Sequence, residues 1–150
     1  MSNKENKELG KLININEDAC EFYDSASEKA ENPQMKRTFA NLEQLHHGVV
    51  IDLKNRVRAN GGDPEADETF TGQAKKFWGE LMANISNDVD ETLVKHLEEA
   101  EDRCLHSVQD AIQNNEIDTQ TKAVLQSQLQ TLRKSHDHMK ALKDNMQEAA

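Results

Sequence analysis

Two prolines, six glycines and two cysteines are all that this chain of 150 residues holds of those types, and aromatic residues make up 4% of it. Each shortage excludes something. Few breakers leave few places where a regular element must stop, so the segments between them are expected to be long helices. Cys20 and Cys104 cannot supply a disulfide framework. With no apolar leader after "MSNKENKELG", both thiols are expected to be free in a reducing cytoplasm. No apolar run approaches the roughly 20 residues needed to cross a bilayer. Positive charge is also scarce: 18 Lys and Arg against 28 Asp and Glu give a formal charge of −10. Such a surface repels nucleic acid and anionic lipid, and the pair Lys75 and Lys76 is too small to make a basic patch. No hydrolase triad, phosphate loop or dinucleotide fingerprint occurs.

The length suits one domain, 1–150, able to bury about two thirds of its unfolded surface without staples. Helical periodicity fills it. Leu9, Leu12, Ile13, Asn16, Ala19, Cys20, Tyr23, Ala26 and Ala30 form one stripe, predicting a helix over about 5–31. Asn32 and Pro33 suit the cap and first position of a second helix over about 33–60, which Gly61 stops. Its stripe is Met35, Phe39, Leu42, His46, Val49, Val50, Leu53 and Val57. Asp88 with Glu91 reads as a capping box opening a helix over about 88–114, with Leu93, Leu97, Glu101, Cys104, Val108 and Ile112 inward. Asp118 or Thr119 caps a fourth over about 118–147, with Leu125, Leu129, Leu132, His136, Met139, Leu142 and Met146 inward. Phe39, Leu42, Leu97, Leu129 and Leu132 are expected to share one core.

Four helices of this length predict an all-α four-helix bundle of two antiparallel hairpins. The 61–87 stretch is too long for a hairpin turn, and "FTGQAKKFWGELMANI" within it is amphipathic, so a crossover containing a short helix is expected. That is the topology of ferritin-like folds, with the second and third helices parallel. Phe77 and Trp78 are expected to cover the bundle seam or to contact a second copy or another protein.

The polar residues within the stripes carry the chemical question. Glu43 and His46 share a face at i, i+3, and ferritin-like di-iron proteins use such Glu-x-x-His pairs, with further glutamates, to hold two iron or manganese ions. His136 occupies the corresponding place on the last helix, but Arg133 stands where its glutamate would be. Glu101, Glu98 and Glu17 complete a candidate ligand set of Glu43, His46, Glu101, His136, Glu17 and Glu98. The metal-free reading is a buried network in which Arg133 neutralises Glu43 or Glu101 and the histidines bond across helices. A third reading joins Cys20 or Cys104 to His46 and His136 in a soft-metal site for zinc or copper. Asn16 reads as a buried amide with a partner.

The segment "LININEDACEFYDSASEKAENPQMKRTFANLEQLHHGVVIDLKNRVRANGGDP", followed by "EEAEDRCLHSVQDAI" and "SHDHMKAL", resembles a small bacterial family of ferritin-like four-helix-bundle proteins catalogued as a domain of unknown function. The resemblance spans about Leu9 to Lys143. It implies a ferritin-like fold, bacterial origin and association with stress conditions, and it carries no established activity or cofactor. Ferritin-like first helices often place a ligand glutamate seven residues before a tyrosine; seven before Tyr23 stands Asn16. The resulting expectation is a non-catalytic bundle with a degenerate di-metal position, the alternative being an iron- or manganese-binding protein with oxidase or metal-handling activity.

Overall fold

Asn32 accepts the backbone N–H groups of Gln34 and Met35 on its side chain, and Pro33 follows where no N–H is needed, so a helix has to begin there. It ends as sharply. Gly61 adopts φ +81°, Gly61 N–H bonds to Arg58 O and Gly62 N–H to Val57 O, the paired closure of a Schellman motif. The structure, a computed structural model, describes residues 2–64, 76, 79, 80, 83 and 88–149. The described elements are α1 (Ser2–Lys29), α2 (Pro33–Ala59), α3 (Val89–Ile112) and α4 (Thr119–Ala149). Asp88 caps α3 by accepting Glu91 N–H, and Asp118 does the same for Thr121 ahead of α4. No strand occurs among the described residues, and no helix there is long and apolar enough to cross a membrane.

Hydrogen bonds at the two ends of the bundle fix the helix directions. At one end the Asp90 carboxylate, in the first turn of α3, accepts the backbone N–H groups of Glu31 and Asn32, between α1 and α2. At the other, the buried Glu5 carboxylate accepts Asp118 N–H at 2.7 Å and the side-chain amide of Asn60, tying α1 to the end of α2 and the start of α4. Hence α2 and α3 start at the same end and run parallel, while α1/α2, α3/α4, α1/α3 and α2/α4 are antiparallel. The connection from Asn60 to Asp88 therefore joins opposite ends of the bundle. Lys76, Gly79, Glu80 and Ala83 within it are helical. The expected seam or partner contacts of Phe77 and Trp78 lie outside the described residues.

Burial follows the stripes on three helices and departs from them on the fourth. On α4 the buried line is Thr121, Leu125, Gln128, Leu132, Ser135 and Met139. Leu129 and His136 are only half-buried, against the expectation that both point inward. Residues 128 and 129 flank the Leu125–Leu132 line on opposite sides at 100° per residue, and the apolar letter at 129 draws the reading to the wrong flank. Nor is there one core. Leu9, Leu53, Val108 and Leu132 belong to one apolar cluster, while Tyr23, Phe39, Leu42, Leu97 and Met139 belong to another.

Candidate functional site

Between the two apolar clusters lies a polar layer to which each helix contributes a buried side chain: Asn16 from α1, His46 from α2, Glu101 from α3 and Ser135 from α4, none more than 1% exposed. Tyr23, one and a half to two turns beyond Asn16, reaches the same layer from above. Asn16 Nδ2 donates to Leu12 O at 2.8 Å, which turns Oδ1 towards His46 Nδ1, also at 2.8 Å. An amide oxygen can only accept, so Nδ1 carries a proton. His46 Nε2 lies 2.5 Å from Glu101 Oε1, and Tyr23 O–H donates to the same oxygen at 2.5 Å. The Tyr23 and His46 rings stack with centroids 5.6 Å apart.

Burial and hydrogen bonding act on Glu101 in opposite directions. Burial pushes the Glu101 carboxyl up, but the His46 hydrogen bond and charge, then the hydroxyls of Tyr23 and Ser135, hold it below the ordinary 4.5. With Nδ1 protonated towards Asn16, a proton between Nε2 and Glu101 Oε1 joins the two buried side chains across 2.5 Å. Burial first, and the Glu101 charge and hydrogen bond second, push Tyr23 well above 10, so its hydroxyl stays a donor. The Ser135 hydroxyl is near enough to influence Glu101 and Tyr23 but forms a well-aligned hydrogen bond with neither, and Glu101 Oε2 is likewise buried without a hydrogen-bond partner.

Of the six sequence-derived ligand candidates, the structure brings only His46 and Glu101 together. Glu43 is half-buried on the α1/α2 flank; burial and then Asp24 raise its carboxyl, while His47 opposes them. Glu17 pairs with Lys54 at 2.9 Å, and Glu98 with Lys143 at 3.5 Å. His136 Nε2 is 3.3 Å from Asp102, away from Glu101. Arg133 is exposed, so it neutralises neither Glu43 nor Glu101; the side chain that meets Glu101 is His46. No group of three or more His, Cys, Asp or Glu side chains is placed to hold a metal ion among the described residues. A di-metal centre takes about six ligands, and this arrangement does not fit one. Cys104 is buried with its thiol near Ile15 O, and Cys20 is half-buried with its thiol 3.7 Å from Glu43 O; both are free.

Sequence reasoning placed Asn16 correctly but missed Tyr23 and Ser135 as members of the layer. For Tyr23 a signal existed, since it is the chain's one tyrosine and sits mid-stripe, and a buried phenol needs a partner. Ser135 gave none.

Comparison with curated proteins and with solved structures gave no significant match. A family model does match, over residues 4–114, a span that holds Asn16, Tyr23, His46 and Glu101 and stops before α4. The chain therefore belongs to the family described as domain of unknown function DUF2383.

Proposed function

We propose that this protein is a non-catalytic, stress-associated bacterial bundle protein of the cytoplasm, in which a protein-supplied ion pair fills the mid-bundle position that ferritin-like proteins give to a di-metal centre. One observation carries the reading: His46, held by Asn16, stands 2.5 Å from Glu101 and occupies the place beside that carboxylate that a metal would otherwise take. Parallel α2 and α3, with a connection spanning the bundle, support the ferritin-like comparison. The stress association comes from the family resemblance. Burial supports the absence of catalysis, because Asn16, Tyr23, His46 and Glu101 are at most 1% exposed and a catalytic group has to meet its substrate.

The competing reading, an iron- or manganese-handling protein using Glu43, His46, Glu101, His136, Glu17 and Glu98, draws on one observation, the orphaned Oε2 of Glu101. Elemental analysis of protein purified without chelators, with melting curves after anaerobic addition of ferrous or manganous ion, separates the two. The ion-pair reading expects less than stoichiometric metal and an unmoved melting temperature. A metal bound at 100 times its Kd would stabilise the fold by about 2.7 kcal/mol, a shift of several degrees. Stoichiometric iron or manganese with such a shift overturns the proposal.

A further inference from the structure

A cleft of about 480 Å³ runs between α1 and α3, separate from the polar layer, none of whose hydrogen-bonded members lines it. Its floor is built from buried Ala19, Phe22, Ala100 and Cys104. Alanines on the two facing helices leave the space, since a larger side chain at Ala19 or Ala100 would project into it. Asn14 also lines the cleft. It is 7% exposed, and its Nδ2 is a buried donor with no hydrogen-bond partner. Buried amide donors are seldom left unpaired, because the lost hydration is not replaced. Lys11 lines the same wall three residues earlier, on the same helix face as Asn14. Its ion pair to Glu8 at 3.1 Å is a surface pair and easily exchanged. The other charged side chains of the lining are Asp18, Arg103 and Asp110; burial, then Glu21 and Glu17, raise the Asp18 carboxyl to about 6, with Arg103 opposing them.

We propose that this cleft binds a small amphipathic carboxylic acid, its carboxylate accepting from Asn14 Nδ2 beside the Lys11 ammonium and its apolar chain lying on Ala19, Phe22 and Ala100. The unpaired group is a donor, so the ligand must present an acceptor; the neighbouring cation selects an anionic one. The volume lies in the range of about 300–1,000 Å³ typical of small-molecule pockets. A protein partner would need an apolar surround, whereas the large hydrophobic residue exposed among the described residues is Ile51, on α2.

Titration of the full chain with decanoate, followed by amide chemical shifts, tests the proposal. Saturable shifts are expected in residues 11–22 and 100–110, with decanol, of equal chain length, binding about tenfold more weakly for want of the charged acceptor. Asn14→Leu should weaken decanoate by a similar factor, and Ala100→Leu should weaken acid and alcohol alike by narrowing the apolar floor. Should Ala100→Leu fail to fold, Lys11→Gln, an exposed substitution, is expected to weaken decanoate several-fold without affecting decanol. The proposal is overturned by any of three results: no saturable shift up to the solubility limit, shifts scattered away from the two cleft walls, or equal affinities for acid and alcohol that Asn14→Leu leaves unchanged.

Discussion

His46 Nε2 stands 2.5 Å from Glu101 Oε1, with the two side chains 0% and 1% exposed. Removing one partner strands the other, so His46→Leu alone is expected to cost about 3–5 kcal/mol in a denaturant melt. The double variant His46→Leu with Glu101→Met should recover part of that loss, though Tyr23 also loses its acceptor. Equal losses in the single and double variants would show that packing, and not the pair of charges, is what the layer protects.

The depressed carboxyl of Glu101 makes stability depend on acid. Burial raises it, and His46 together with the two hydroxyls brings it below 4.5, so its contribution is complete above the unfolded value and lost as pH falls through the folded one. Between about pH 5 and pH 3 the melting temperature should fall more steeply in the parent than in Glu101→Gln. Parallel curves for the two proteins would contradict this.

Asp18 carries the opposite sign. Burial, then Glu21 and Glu17, push its carboxyl from 3.8 to about 6, so the folded state holds the proton more tightly, and the cost to stability builds as pH rises from 3.8 and is complete above about 6. Asp18→Asn is expected to raise the melting temperature at about pH 8 and to leave it unchanged near pH 3.5. The side chain is only half-buried, which keeps the gain to about 1 kcal/mol or less.

Leu132 and Leu129, three residues apart on α4, separate the two flanks of that helix. Leu132 is 0% exposed, and its truncation to alanine should cost about 2–5 kcal/mol. Leu129 packs against the core only in part, and its truncation should cost clearly less. Melts of the two variants rank them, and the reverse order would mean that α4 is rotated.

Arg133→Glu, which would complete a second Glu-x-x-His pair in the sequence, is a surface change in the fold. Because Arg133 is exposed, the substitution should shift stability by no more than about 0.5 kcal/mol and create no affinity for ferrous or manganous ion. Stabilisation of this variant by either metal would place residue 133 inside the bundle.

Chain punctuation was readable because its causes are local. Asn32 with Pro33, Asp88 and Gly61 each act through backbone groups within a few residues of themselves, and the structure bonds each at a helix end; of the capping box read at Asp88 and Glu91, the Asp88 cap is the bond the structure gives. The inward direction of His46 and Glu101 was readable for the same reason, since each sits in an otherwise apolar stripe. What pairs with what was not. Arg133 was assigned to the centre because a buried carboxylate demands a cation, and the demand was met by a histidine already counted as a ligand. On α4 Leu129 lies on one flank of the buried Leu125–Leu132–Met139 line and the layer's Ser135 on the other, so hydrophobicity draws the reading towards the wrong flank.

The bond between Glu5 and Asp118 has a consequence for the order of synthesis. Its partners are 113 residues apart in the chain, so it cannot form until four fifths of the protein has been made. Asn60, the other partner of Glu5, is available far earlier, and α1 and α2 can pack as a hairpin with that half of the contact in place. Until Asp118 emerges, one carboxylate oxygen of Glu5 lacks its final donor and depends on water. The first helix to leave the ribosome thus keeps an open position for the last one, and filling it joins the two hairpins at that end.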